Sequence, residues 1–414
     1  MTFGERLRKP KQALWLIGKW TFLSVLMGTL GGALGAGFHY VLHLVTEARL
    51  AHTWLIFLLP IGGLAIVGLY QLFRLKTNRG TDEILDAVQN DKSIPLQITP
   101  GIFSATAITH LLGGSAGREG AALQLGGSSA ALLNKVFRLK NIEARMMILC
   151  GMSAVFSGLF CLPLTACLFA LEFVTVGTLF SPALLPCFLS SITATWVSNA
   201  LGVEAVTVSL DNPLGLTGGN ILRLVGLAVL VSLLGMVMCY VFHQAKHLAE
   251  KWLKNPWFRI TVGGVVIVAL TLLVGDQRYN GAGMELALQA IHAEVNWFDF
   301  ILKLLFTAIT LGVGFKGGEI VPTLCIGATF GGAVGALLGL NPAFAAALGL
   351  VGLFCCVTNS PLASIVLSIE MFGATNLYGF VLMCVITFAF SGNCSLYADQ
   401  KMKYGKLPFL KKES

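Results

Sequence analysis

Charged residues are scarce in this sequence. Asp, Glu, Lys and Arg make up 12% of its 414 residues, whereas 56% are hydrophobic and the mean hydropathy is +0.79. Because a soluble globular domain carries about 25% charged residues, this composition excludes an ordinary soluble enzyme. The net charge of +8 does not indicate nucleic acid, since the basic residues form no aromatic-interleaved patch. We therefore predict an all-α integral membrane protein.

Metal and disulfide motifs are also missing. The ten cysteines are scattered through apolar stretches without a Cys-x-x-Cys, which is typical of buried thiols rather than of disulfides. Two histidine pairs, His39/His43 and His243/His247, have i, i+4 spacing, but neither has a third ligand in sequence reach. We interpret them as polar helix ends and expect no metal site and no cofactor.

The apolar runs differ widely in length. Runs 100–112 and 361–372 are too short to cross a bilayer, which takes about 20 residues, and runs 144–175 and 320–356 are too long for one perpendicular crossing. This mixture predicts tilted long helices together with discontinuous helices. Non-helical backbone at membrane depth must be covered by protein or line a wet cavity.

Basic residues concentrate at the two ends of the chain. By the positive-inside rule, both termini are expected on the cytoplasmic side of a bacterial-type cell membrane, with an even number of crossings. The basic residues at the ends are Arg6, Arg8, Lys9, Lys11, Lys401, Lys403, Lys406, Lys411 and Lys412.

An internal repeat divides the chain. Glu172 follows Pro163-Leu164 at the same nine-residue spacing at which Glu370 follows Pro361-Leu362. Two further pairs recur about 200 residues apart in the same order, Phe38-His39 with Phe242-His243 and Glu119 with Glu319. If each half crosses the membrane an odd number of times, the second is inverted relative to the first. The predicted parts are a cytoplasmic segment 1–12, a first repeat 13–203, a linker 204–218, a second repeat 219–400 and a basic tail 401–414.

Each half carries one glycine-rich, charged break before an apolar run. The breaks are Gly113–Gly120, with Arg118 and Glu119, and Gly314–Pro322, with Glu319. A helix N-terminus presents free N–H groups and a partial positive charge, so two such ends aimed at one point predict a site for a small anion. A glutamate there can compete with the anion when ionised and withdraw when protonated.

Other interpretations of the two breaks compete with this one. Glu119 alternatively pairs with Arg118, and Glu319 alternatively only caps its helix. An intramembrane hydrolase would use Ser115 or His110 with Glu119, but no paired nucleophile–base motif accompanies them. A P-loop is a poorer interpretation still, because no Gly-Lys-Ser/Thr follows the glycines.

The breaks and their surroundings resemble the CLC family of anion channels and proton-coupled anion antiporters. The resemblance rests on GGSAGREGAALQLGG, PLTACLFALE, GGEIVPTLCIGATFGG and SLYADQ, in the family's order over almost the whole chain. It implies a homodimer with one anion pore per subunit and a CLC-like inverted repeat with tilted, discontinuous helices. The implied function is transport of chloride or another small halide across the lipid bilayer, in exchange for protons and without enzymatic activity.

The resemblance also assigns roles to individual residues. Glu119 would be the external gating glutamate, which also transfers protons, and Tyr397 would offer its hydroxyl to the central anion. Thr81 stands where the family has a serine. The remaining anion-binding positions, which contribute mainly backbone amides, are Gly117, Arg118, Gly120, Glu319 and Ile320, and Glu319 is in addition a possible proton relay.

Departures from the family pattern leave the anion and the coupling open. Asp82 brings negative charge near the presumed pore, and Phe173 occupies the place of the internal proton-handling glutamate, which favours a passive channel. Glu319 after two glycines is similar to the fluoride-exporting branch, whereas Thr81 and Tyr397 are not typical of that branch. A fluoride/proton antiporter and a passive chloride channel therefore remain alternatives.

Overall fold

The protein is built almost entirely of helices. The structure is a computed structural model that describes residues 3–75, 80–90, 92–210, 215, 217–403 and 405–406. Its first eight α-helices are α1 (Phe3–Ala51), α2 (Leu59–Leu72), α3 (Thr81–Asn90), α4 (Ile98–Leu111), α5 (Glu119–Val136), α6 (Ile142–Phe160), α7 (Pro163–Glu172) and α8 (Leu184–Ala200). The next eight are α9 (Gly218–Trp252), α10 (Pro256–Val274), α11 (Met284–Ile291), α12 (Asp299–Gly312), α13 (Ile320–Leu337), α14 (Pro342–Thr358), α15 (Pro361–Phe372) and α16 (Leu377–Phe390).

The two sets of eight helices follow the same order of long and short elements. Each begins with the longest helix of its half, α4 and α12 both have 14 residues, and α5 and α13 both have 18. The only strands among the described residues, β1 (Thr175–Val176) and β2 (Lys401–Met402), form one short parallel pair. The predicted all-α repeat of two halves is therefore confirmed.

Six of the described helices are long and apolar enough to cross a membrane. They are α2, α6, α10, α13 and parts or all of α1 and α9, with the Thr53–Leu58 3₁₀ turn continuing into α2. Four others, α7, α14, α15 and α16, are apolar but shorter, with 10 to 17 residues. The predicted mixture of spanning and discontinuous helices is thus present.

Reciprocal helix caps hold the two halves together. The Glu172 carboxylate, at the end of α7, accepts hydrogen bonds from Leu362 N (3.1 Å) and Ala363 N (2.9 Å) at the start of α15. The Glu370 carboxylate, at the end of α15, accepts from the first amides of α7, Leu164 N and Thr165 N, both at 2.9 Å. This exchange is the pattern that an approximate two-fold axis produces, and each glutamate caps a helix of the opposite half.

Several boundaries differ from the sequence prediction. The apolar run 144–175 is divided into α6 and α7 by Cys161, whose φ of +56° ends α6, and run 320–356 is divided between α13 and α14. The amphipathic helices α3 and α11 were missed because they are not apolar runs. Helix α1 continues through the expected limit at residue 12. Parts of the predicted linker (211–214 and 216) and tail (404 and 407–414) lie outside the described residues.

Candidate functional site

The two glycine-rich breaks meet in the middle of the fold. Break 1, residues 112–118, joins α4 to α5, and break 2, residues 313–319, joins α12 to α13. Gly117 N donates to Gly318 O at 2.7 Å and Gly318 N donates to Gly117 O at 2.8 Å, so the breaks form an antiparallel bridge. The N-termini of α5 and α13 therefore begin side by side, as the sequence predicted.

Threonines of the preceding helices support the opposite breaks in a symmetrical way. Thr310 of α12 accepts from the backbone N of Ser115 at 3.2 Å, and Thr109 of α4 accepts from the backbone N of Lys316 at 3.3 Å. Each hydroxyl also donates to a carbonyl one turn earlier in its own helix. The two exchanged bonds hold the backbones of the breaks in matching positions.

The Glu119 carboxylate lies where the two helix starts converge. Glu119 is the first residue of α5 and its side chain is buried, with 1% of the residue exposed. Its Oε2 accepts hydrogen bonds from Arg118 N (3.1 Å) and from Val321 N (3.0 Å) in the first turn of α13. One carboxylate oxygen is thus bound by amides of both halves, in the manner in which helix N-termini bind anions.

Both bridging positions require glycine. A Cβ at Gly117 would lie 2.4 Å from Glu119 Oε2, and a Cβ at Gly318 would lie 2.5 Å from Gly120 N. Gly117 was predicted to offer its amide to an anion, but that N–H is bonded to Gly318 O, so its contribution is the close approach of the backbones. The prediction that the Gly117 amide is free to bind an anion was therefore wrong.

The Arg118 side chain turns away from Glu119. Its Nη1 lies 3.3 Å from His39 Nδ1, and its guanidinium stacks on the Phe160 ring at 4.8 Å from the centroid. The contact between the two neighbours is made by the Arg118 backbone amide. The alternative in which Glu119 merely forms an ion pair with Arg118 is not supported by the residues that the structure describes.

A polar cavity of about 130 Å³ lies on one side of the breaks. Thr81, Asp82, Glu319 and Tyr397, all singled out from the sequence, line it together. Basic and titratable side chains of neighbouring helices complete the wall, and these are His243, Lys246, Glu250, Arg259 and Lys316. The cavity therefore combines cations, carboxylates and hydroxyl groups beside the α13 N-terminus.

Tyr397 presents a free hydroxyl to this cavity. The residue is 4% exposed, and its buried hydroxyl has no hydrogen-bond partner within the described part of the chain. Its ring packs edge-on against Phe173 at 5.2 Å. Gln400 fixes the segment, since its Nε2 donates to Phe173 O at 2.7 Å and to Thr358 O at 2.9 Å. A buried hydroxyl without a partner is expected to bind a ligand or water.

A second, smaller cavity of about 30 Å³ lies on the other side of the breaks. Glu119, Ile320 and Val321 line it, and the rest of its wall is mostly apolar, including Phe160 and Phe354. Gly317 and Glu319 line the polar cavity instead. The Glu119 carboxylate and the bridge between the breaks therefore separate a polar space from an apolar one.

Glu319 is not the structural counterpart of Glu119. It is the N-cap residue of α13, the position that Arg118 occupies before α5, whereas Glu119 corresponds to Ile320. Pairing the two glutamates by sequence was therefore wrong by one residue. Buried Glu319 Oε2 has no hydrogen-bond partner among the described residues, and its side chain makes no cap.

Ser115 and His110 are engaged elsewhere. Ser115 Oγ lies 2.9 Å from Thr307 Oγ1 and accepts from Lys303 Nζ at 2.9 Å, while His110 Nε2 lies 3.3 Å from Gly117 O. Neither side chain is hydrogen-bonded to the Glu119 carboxylate or to the other in the part of the chain that the structure describes. The geometry offers no nucleophile–base pair at Glu119.

Sequence reasoning missed three residues of the site. Val321 supplies an amide to Glu119, Gln400 supports Tyr397, and Lys303 contacts break 1. Only Lys303 left a signal, because it is a lone charge inside the apolar run FILKLLFTAIT. A backbone amide and an amide side chain in a loop leave none.

Comparison with known proteins places the chain among anion transport proteins. Residues 62–392 match the family described as voltage gated chloride channel. The chain is 32% identical, over 97% of its length and 91% of the relative, to a chloride/fluoride channel protein of Pseudomonas syringae pv. tomato. It is 26% identical, over 88% of its length and 84% of the relative, to the H(+)/Cl(-) exchange transporter ClcA of Vibrio campbellii.

Solved structures also resemble most of the chain. The crystal structure of a CLC-type fluoride/proton antiporter superposes with a TM-score of 0.90 at 33% identity, covering 93% of this chain and 98% of the other. A slow cyanobacterial Cl-/H+ antiporter shares the fold, with a TM-score of 0.77 at 19% identity and coverage of 90% and 94%.

Proposed function

Because the chain belongs to the voltage-gated chloride channel family, we propose that it carries a small halide across the membrane in exchange for protons. It is a multi-pass membrane protein, and the pathway of the anion passes the bridge between the two breaks. Glu119 is the gate of this pathway and the group that the anion and the proton share.

The observation that carries the proposal is the position of the Glu119 carboxylate. Its Oε2 accepts the N–H groups of Arg118 and Val321, which belong to two different helix starts. A halide needs the same donors, so the charged carboxylate and the anion exclude each other. Protonation removes the charge that these amides stabilise, the side chain leaves, and the amides become available to the anion. A proton is thereby exchanged for an anion.

The polar cavity is the second part of the pathway. Thr81 and Tyr397 provide hydroxyl donors for a halide there, and the α13 N-terminus beside Glu319 and Ile320 adds its partial positive charge. Glu319 relays protons between this cavity and Glu119, because its free Oε2 is buried beside the same helix start. Arg118 and Gly120 contribute backbone amides at the start of α5.

Fluoride is the second candidate for the anion. It is favoured by the likeness to a fluoride/proton antiporter and to a chloride/fluoride channel protein, and by Glu319 in the second break. Chloride is more weakly hydrated than fluoride, so it needs fewer hydrogen-bond donors in a binding site than fluoride does. The Glu319 carboxyl group makes no helix-capping hydrogen bond. When it is protonated, its O–H adds one further donor for fluoride at this site.

A passive channel is the remaining rival. Phe173, buried and packed on Phe169 at 4.9 Å, leaves no titratable side chain at the place where many antiporters have an internal glutamate. Antiport then uses a proton route through the polar cavity, along which Glu319 speeds proton transfer as a relay. The rival predicts anion movement that no pH gradient can drive.

The deciding experiment uses proteoliposomes of the purified full chain. Chloride and fluoride efflux are measured side by side, with a pH electrode outside and with an imposed pH gradient. Uphill halide movement driven by protons supports the antiporter. Halide flux without any coupled proton movement overturns it in favour of the channel, and the absence of flux for both halides overturns transport itself.

The assembly and orientation follow from the same proposal. We expect a homodimer with one pathway per subunit, in the cell membrane, with the basic end segments 1–12 and 401–414 on the cytoplasmic side. The membrane repeats extend over 13–203 and 219–400, with 204–218 as linker. Transport without covalent chemistry needs no cofactor and no enzymatic activity.

A further inference from the structure

Lys303 is a fully buried cation attached to break 1. It is 0% exposed, although it lies on the apolar helix α12. Its Nζ donates to Ser115 Oγ at 2.9 Å, to Gly281 O at 2.7 Å and to Tyr279 O at 3.0 Å. Three acceptors match the three N–H groups of an ammonium, so the hydrogen bonds are those of the charged form.

No carboxylate neutralises this ammonium. Lys303 forms no ion pair with any residue that the structure describes, and its three acceptors are neutral. A second buried cation lies close by. Arg49 is 5% exposed, its Nε and Nη1 have no hydrogen-bond partner there, and its Nη2 lies 3.2 Å from a Cβ built at Gly281. Glu285 interacts with Arg49 electrostatically without an ion pair.

Buried charges of this kind are costly and rarely serve packing alone. An ionisable side chain at membrane depth is normally paired or functional, and an unpaired one projects its field through a medium that screens it weakly. Ser115 connects Lys303 to break 1, in which Arg118 provides one of the two amides that bind the Glu119 carboxylate. The field of Lys303 therefore acts on whichever anion occupies this point.

We propose that Lys303 is a positioning residue for the transported anion: its charge behind break 1 raises the affinity of the Glu119 site for a halide. This inference rests on the proposed function, and it adds a source of affinity outside the backbone amides. The same charge stabilises the ionised Glu119 carboxylate in the site, so it acts on both competitors for the amides. Arg49 adds to the field from the far side of the loop at Gly281.

The principal test is Lys303→Gln, which keeps a hydrogen-bond donor but removes the charge, introduced into Glu119→Gln so that no carboxylate competes with the halide for the amides. Relative to Glu119→Gln alone, we expect the halide concentration at half-maximal flux to rise about tenfold, because the lost charge acts through a medium that screens it weakly. The maximal rate changes less than this. An unchanged half-saturating concentration overturns the proposal.

A matched set of variants separates charge from structure. Thr307→Val removes the neutral partner of the same Ser115 hydroxyl and leaves the charge, so in the same background its half-saturating concentration stays within about twofold of that of Glu119→Gln alone. Equal effects of Thr307→Val and Lys303→Gln would show that Lys303 is only a structural tie and overturn the inference.

Cys325→Asp keeps the test decisive if Lys303→Gln fails to fold. Lys303 Nζ and Cys325 Sγ lie 3.1 and 3.2 Å from the same point, a Cβ built at Gly283, so an aspartate at 325 brings a carboxylate near the ammonium and offsets its charge. In the same Glu119→Gln background, we expect a loss of halide affinity like that for Lys303→Gln, with Cys325→Ser as the control. An affinity unchanged from that of Glu119→Gln alone overturns the proposal.

Calorimetric titration of the detergent-solubilised protein with sodium chloride and sodium fluoride measures binding without transport. If the wild type binds a halide but moves none, the proposed function fails, and the variants still decide the role of Lys303 by their affinities. If the wild type transports and the charge variants bind as tightly as Glu119→Gln alone does, only this inference fails.

Discussion

The two breaks have the same backbone arrangement but carry different charges. Their bridge at Gly117 and Gly318 is symmetrical, the threonine supports are exchanged, and both lead into helices of 18 residues. At the helix starts, however, Arg118 and Glu119 stand where break 2 has Glu319 and Ile320. In our proposal the common backbone provides amides for an anion, and the side chains decide what each break does with them.

The difference of one position explains the two environments. A carboxylate on the first helical residue, Glu119, reaches across to the first turn of α13 and lies next to an apolar cavity. A carboxylate on the N-cap, Glu319, faces the polar cavity and has a free oxygen. Each break also has its own lysine, Lys303 bonded to Ser115 and Lys316 above the Tyr70 ring at 4.7 Å.

Removing the charge of Glu119, which has no counterpart at Ile320, is expected to have the largest effect. In Glu119→Gln, the neutral amide cannot compete with a halide as a carboxylate does and cannot carry a proton, so proton transport is expected to fall to the background of empty liposomes while halide flux persists. Simultaneous recording with halide and pH electrodes measures both. Proton coupling that survives in this variant contradicts the role assigned to Glu119.

Filling the bridge tests whether the shared backbone is needed. Gly117→Ala and Gly318→Ala each place a Cβ within 2.4 to 2.5 Å of Glu119 Oε2 or Gly120 N, and we expect each to cost about 3 kcal/mol or more. Gly219→Ala, which has no neighbour within 4 Å at its Cβ, is the control and should change stability by less than about 1 kcal/mol. Thermal unfolding in detergent compares the three; equal melting temperatures would refute the requirement.

Glu319 tests whether the two glutamates have different roles in proton transfer. Glu319→Gln leaves the amides and Glu119 in place and removes only the proposed relay, so proton-coupled exchange is expected to slow about tenfold while the coupling ratio persists. The measurement is the rate of proton uptake driven by a halide gradient. A complete loss of coupling, as in Glu119→Gln, would mean that the two glutamates do the same work.

The smallest expected effects come from the reciprocal caps. Glu172→Ala and Glu370→Ala each free two amides at the start of the opposite half's helix, at a cost of about 1–2 kcal/mol. Glu172→Ala should cost more, because Glu172 is buried whereas Glu370 is partly exposed and water can replace it. Denaturant titration ranks the two, and the reverse order would indicate that burial does not set the cost.

The parts of this site that could be predicted from the sequence are those with an unusual local composition. Glycines beside charges in an apolar chain predicted both breaks, their convergence and the importance of Glu119. The register between the breaks was wrong by one residue, because two glutamates look like partners in sequence while the backbone pairs Gly117 with Gly318. Hydrogen bonding, rather than residue identity, sets that register.

Other features of the site could not be predicted from a single sequence. Cys161 and Asn359 adopt the same left-handed conformation at equivalent turns. Asparagine often adopts this conformation at the end of a helix, but cysteine does not. The end of α6 at Cys161 therefore could not be predicted from the sequence. Val321 contributes a backbone amide, which every residue has. Lys303 was visible as a lone charge, but its partners come from the distant segments at Ser115 and Gly281.

The closing strand pair has a consequence for biosynthesis. The Tyr397 segment is fastened by Gln400 to Phe173, a partner 227 residues earlier, and β2 pairs with β1 just beyond it. The bond between Val321 and Glu119 likewise spans 202 residues. No nascent fragment can therefore assemble a working pathway: the first half emerges from the ribosome with its helix N-termini and Glu119 unmatched. A partly made chain lacks the hydrogen bond between Val321 and Glu119 and the pairing of β2 with β1.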